Sequence, residues 1–101
     1  MTYIYTFSAR AKSPDEAQRV CEIFGHLLSL IHEPGYRRGA CTVSADDPRQ
    51  IFIVEQWGSG AALRAWLDSE GHRKAIEQAA EYLEAGHFEN QLYQIVTGGA
   101  S

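Results

Sequence analysis

Two cysteines in 101 residues are too few for a disulfide framework, so the fold has to be held together by an apolar core. Cys21 falls on a helix face and Cys41 in a strand pattern, which reads as two small core residues rather than catalytic thiols. No apolar run approaches the roughly 20 residues that cross a bilayer. The opening Met1-Thr-Tyr-Ile-Tyr-Thr-Phe lacks a basic segment followed by a long apolar stretch, so no secretory signal is expected, and the cytoplasm is the expected location. Positive charge is scarce. The formal net charge is −4 and basic residues come in pairs at most, as at Arg37-Arg38, which argues against nucleic acid as a partner. The chain also lacks a His-Glu-x-x-His motif, a four-ligand Cys/His set and a Gly-x-Gly-x-x-Gly loop. Neither a metal nor a tightly held nucleotide or flavin is therefore expected. Ser59 and Ser69 sit in turn chemistry with no base nearby, and nothing marks either as a nucleophile.

What the chain does have is patterning. Its hydrophobic content of 45% suits an ordinary globular protein, and its length suits one domain spanning 1–101. Residues 3–10 alternate Tyr3, Tyr5 and Phe7 with Ile4, Thr6 and Ser8, the period of a strand. Ser13-Pro14-Asp15-Glu16 then announces a helix. Serine can cap the free amides, proline suits the first position, and the glutamate stands where a capping box needs it. Ala17, Val20, Cys21, Phe24, Leu27, Leu28 and Ile31 form one apolar stripe, and Pro34-Gly35 stops it. A second strand is predicted from Gly39 to Ala45, a turn at Asp46-Asp47-Pro48, and a third strand from Gln50 to Trp57. Gly58-Ser59-Gly60 leads into a short helix over 61–68 and then a longer one over about 72–85. A fourth strand follows from His87 to Thr97, and the tail after it reads as frayed.

The order β-α-β-β-α-β, with its second helical unit split, is the ferredoxin-like plan of class α+β: a four-stranded antiparallel sheet with helices on one face. Apolar residues nevertheless occupy both strand parities, as in Phe52 and Val54 beside Ile51 and Ile53. The helices can cover only one face, so a second copy is expected on the other, giving a homodimer.

With Glu55-Gln56-Trp57, the short helix ending in Trp66 and Ser69-Glu-Gly-His-Arg-Lys-Ala-Ile76 in that order, the chain resembles the antibiotic biosynthesis monooxygenase family. The resemblance covers nearly the whole length and implies a dimeric α/β barrel, with a pocket between sheet and helices in each subunit. It implies one of several activities: cofactor-independent oxidation of phenolic or quinol-like aromatics, haem degradation, or none. The haem-degrading branch uses an Asn on the first strand, a Trp on the short helix and a His on the last helix. Here Trp66 matches, Ser8 stands at the Asn position, and residues 75–77 hold no His.

Trp66 and His72 are the catalytic candidates. An indole can stack on a planar aromatic and orient an oxygen through its N–H, or simply fill the core beside Leu63 and Leu67. His72, four residues before Ile76, shares the apolar helix face and could take a proton from a phenol, or serve only at a helix start. Ser8, Phe24, Leu28, Tyr82 and Asn90 are the candidate pocket residues for a small aromatic molecule. Glu55, a carboxylate in an apolar strand, is expected to pair with an arginine across the dimer. His26 is expected in solvent, and His32 and His87 at element ends. The functional expectation is a monooxygenase with no cofactor, with a non-catalytic ligand-binding dimer as the alternative and a haem-binding relative behind it.

Overall fold

The computed structural model describes residues 1–86 and 88–98. In chain order the elements are β1 (Tyr3–Arg10), α1 (Pro14–Ser29), β2 (Tyr36–Val43), β3 (Gln50–Trp57), α2 (Gly60–Leu67), α3 (Glu70–Ala80) and β4 (Glu89–Gln94). All neighbours in the sheet are antiparallel, in the order β2-β3-β1-β4, so the ferredoxin-like expectation holds. His87 and the tail from 99 onward lie outside the described residues.

α1 starts where its sequence says. Ser13 Oγ accepts from the Glu16 amide at 3.1 Å and its hydroxyl donates to Glu16 Oε1 at 3.0 Å. The inner face buries Ala17, Val20, Phe24 and Leu28 against the sheet. Each large side chain of this kind contributes about 1.5–3 kcal/mol by leaving water. Phe24 meets Phe7 of β1 with ring centroids 6.3 Å apart. At the far end, the Leu30 and Ile31 amides bond the Leu27 and Leu28 carbonyls, tightening the last turn.

Three boundaries differ from expectation. β2 begins at Tyr36 rather than Gly39, because Tyr36 pairs with Trp57 and the irregularity between Tyr36 and Arg38 absorbs an extra residue. α3 ends at Ala80 rather than near 85. There Leu83 leaves the helix to bridge Ala11, and the Glu84 amide bonds the Arg10 carbonyl. Long-range pairing outweighs the helical pattern at that point. β4 is shorter than predicted, and every one of its residues is exposed although it is fully paired to β1.

Strand alternation sorts the side chains. Tyr5, Phe7, Ala9, Ile51, Ile53, Glu55 and Trp57 face the helices and are buried. On the other face lie Ile4, Ser8, Phe52 and Val54, with Phe52 42% exposed. No helix of the described residues is long and apolar enough to cross a membrane.

Candidate functional site

A cross-strand row runs over the helix side of the sheet: Leu92 on β4, Tyr5 on β1, Glu55 on β3 and Gly39 on β2. Next to it Trp57 stands between Tyr3 and Tyr36. Glu55 is 3% exposed, and among the described residues its hydrogen-bond partner is the indole N–H of Trp57, which donates to Oε1 at 3.0 Å. Burial pushes the carboxyl up to about 7, with the Trp57 bond pulling the other way. The arginine expected to meet it across a dimer would come from a second copy; among the described residues no ion pair reaches Glu55, and Arg10 pairs with Asp47 and Arg49 with Glu84.

Two phenols flank the carboxyl. Burial raises the Tyr5 hydroxyl above its ordinary value, the charge of Glu55 adds to this, and a hydrogen bond from Asn90 opposes it. Tyr36 is raised by the same two causes, burial first and Glu55 second. Its ring meets Trp57 edge-on at 5.1 Å. Gly39 makes room for this arrangement. A Cβ there would lie 3.0 Å from the Tyr36 hydroxyl and 3.1 Å from Leu28 Cδ2. Because the helices leave β4 uncovered, Phe88, Asn90 and Leu92 form an open flank beside Tyr5 and Phe7; Phe88 meets Phe7 at 6.1 Å.

Trp66 and His72 come together at the junction of α2 and α3. Ring centroids are 6.0 Å apart and the planes meet edge-on at 66°. Ser59 caps α2 and Ser69 caps α3, the latter accepting the His72 amide at 3.2 Å, so both rings stand on defined turns. Burial lowers the His72 pKa, while a hydrogen bond to the Leu67 carbonyl partly opposes the shift. The imidazole is therefore neutral at pH 7. Trp66 is buried and its Nε1 has no hydrogen-bond partner among the described residues, a state that costs about 1–3 kcal/mol when no acceptor is supplied.

The five pocket candidates do not converge. Phe24 and Leu28 lie in the core under α1, and Leu28 also lines a cleft of about 400 Å³ with Tyr36, Gly39 and Cys41. Asn90 reaches the row through Tyr5. Ser8 alternates onto the opposite sheet face and lines a separate cleft with Gln50, Phe88 and Glu89. Tyr82 lies between α1 and α3, beside Arg19 and Glu81. His26 and His32 are exposed, as expected for the first of them. Glu55, Tyr5 and Tyr36 form a largely buried cluster that the sequence reading underrated. The signal for Glu55 was there in a carboxylate surrounded by Ile53, Val54 and Trp57.

A model of the antibiotic biosynthesis monooxygenase family matches residues 7–78, well over half of the chain. No curated protein is significantly similar to it. Among solved structures, a Nitrosomonas europaea protein provisionally named as an antibiotic biosynthesis monooxygenase is 21% identical with a TM-score of 0.81, over 94% of this chain and 90% of that one. Rv0793 from Mycobacterium tuberculosis is 16% identical with a TM-score of 0.80, over 99% and 100%. SnoaB, a cofactor-independent oxygenase from Streptomyces nogalater, is 14% identical with a TM-score of 0.77, over 96% and 95%. At these identities the structural matches establish the fold. Together with the family match, which runs from Phe7 through Glu55, Trp57, Trp66 and His72 to Gln78, they place the chain in the antibiotic biosynthesis monooxygenase family.

Proposed function

We propose that this protein is a cofactor-independent monooxygenase that oxidises a small phenolic or quinol-like aromatic between its sheet and helices. The observation that carries the reading is Glu55, a buried carboxyl with no cation beside it among the described residues and a pKa pushed up to about 7. Such a group exchanges a proton at neutral pH, which an exposed glutamate does not do. In the proposed reaction Glu55 takes the substrate's hydroxyl proton. The electron-rich phenolate passes electrons to dioxygen and forms a carbon–oxygen bond to it. The resulting ring peroxide takes up a proton, loses the hydrogen from its carbon and breaks its O–O bond, leaving a quinone and water. Trp66, whose N–H is unpartnered among the described residues, would reach the developing oxygen charge once its packing opens, with His72 edge-on against the indole. The assembly we propose is a homodimer joined through the sheet face that carries Ile4, Phe52 and Val54. SnoaB, a cofactor-independent oxygenase of the same fold, agrees with this chemistry.

The alternative is a non-catalytic dimer that binds an apolar ligand. The close packing of Trp66 in the core favours it, as Trp66 and His72 line none of the clefts described above. Oxygen uptake by the purified protein with a panel of quinols and anthrones separates the two. The monooxygenase reading expects uptake above spontaneous oxidation, rising with pH through about 7 as Glu55 ionises, and at least about tenfold lower in Glu55→Gln. Uptake no faster than buffer across the panel contradicts it.

A further inference from the structure

Cys21 of α1 and Cys41 of β2, twenty positions apart in sequence, bring their sulfur atoms to 3.0 Å. Neither is the enclosed core residue that the sequence implied; both are half-buried, because α1 crosses the sheet beside its edge strand β2. Cys41 also lines the cleft between α1 and β2, together with Gly25, Leu28 and Tyr36, so small solutes can reach the pair. We propose that Cys21 and Cys41 are a peroxide-sensitive dithiol that closes reversibly into an intrachain disulfide, pinning α1 to β2 beside Tyr36 and Gly39. This does not depend on the proposed oxygenase activity.

The roles differ. The Cys41 thiol donates its hydrogen toward Cys21, which favours thiolate at Cys21, while the same bond and burial disfavour ionisation of Cys41. In the proposed step the Cys21 thiolate attacks one oxygen of hydrogen peroxide. The O–O bond breaks, giving a sulfenic acid at Cys21 and hydroxide, which is protonated to water. The Cys41 sulfur then attacks the Cys21 sulfur, forming the S–S bond and releasing a second water. One peroxide is reduced and two thiols are oxidised.

The test is intact-mass analysis of the full chain after stoichiometric hydrogen peroxide, followed by digestion without reductant and a thermal melt. The expected product is a monomeric chain lighter by two hydrogens that yields a Cys21–Cys41 linked peptide. Its Tm should be higher by about 5–15 °C, reversed by dithiothreitol. Cys41→Ser should instead retain an added oxygen at Cys21, trappable by a sulfenic-acid reagent. Unchanged thiols, disulfides only between chains, or wild-type chains that gain oxygen without linking would each overturn the proposal.

Discussion

The Trp57 indole N–H donates to Glu55 Oε1 at 3.0 Å, from two residues further along the same strand. Residues two apart on a strand share a face, so the carboxyl carries its own donor into the core. One donor does not replace the water that a carboxylate loses, and the pKa stays near 7 instead of the ordinary 4.5. A raised carboxyl pKa means that the folded state binds the proton more tightly than the unfolded state. The stability it contributes is complete below about 4.5 and is lost as pH rises through about 7, amounting to about 3 kcal/mol. Glu55→Gln keeps an oxygen for Trp57 and cannot ionise. The variant should match the parent protein in urea unfolding near pH 4.5 and exceed it by up to about 3 kcal/mol at pH 8. A constant difference across that range would show that Glu55 does not titrate there.

The two tryptophans should respond differently to loss of the indole N–H. Trp66→Phe removes a donor that has no partner, and relief of its desolvation offsets much of the lost packing, leaving a net change within about 1 kcal/mol. Trp57→Phe strips Glu55 of its donor and should cost about 2–4 kcal/mol. Urea unfolding at pH 7 compares the two directly, and equal costs would mean that the Trp66 N–H is satisfied in the folded protein.

A charge in the middle of the outer sheet face should separate the proposed subunits. Val54 lies there between Thr6 and Ala40, with Phe52 exposed two residues away. Sedimentation velocity should find the parent protein as a dimer and Val54→Arg as a folded monomer, since an arginine without a partner is costly to enclose. A monomeric parent protein would remove the barrel from the account.

Much of this fold was legible because its signals are local. Ser13 with Glu16 fixed the start of α1, and the alternation around Ile51 and Ile53 located β3 from Gln50 to Trp57. The end of α3 was not legible, because Leu83 is drawn away by Ala11, seventy-two residues earlier in the chain. The site divides in the same way. Helical spacing brought Trp66 and His72 onto inner faces. Tyr36 lay in an expected loop and joined the site only through pairing with Trp57, and Gly39 opposite Glu55 is a feature of register that no local pattern carries. Cys21 and Cys41 each read correctly as members of a helix and a strand, but their contact depends on how α1 crosses β2.

Carbon-13 NMR titration of the Glu55 side-chain carboxyl, assigned by its loss in Glu55→Gln, bears most directly on whether this site holds a base poised for neutral pH. The account predicts a midpoint near 7 in the folded protein. A midpoint near the ordinary 4.5 would leave the proposed chemistry without its base.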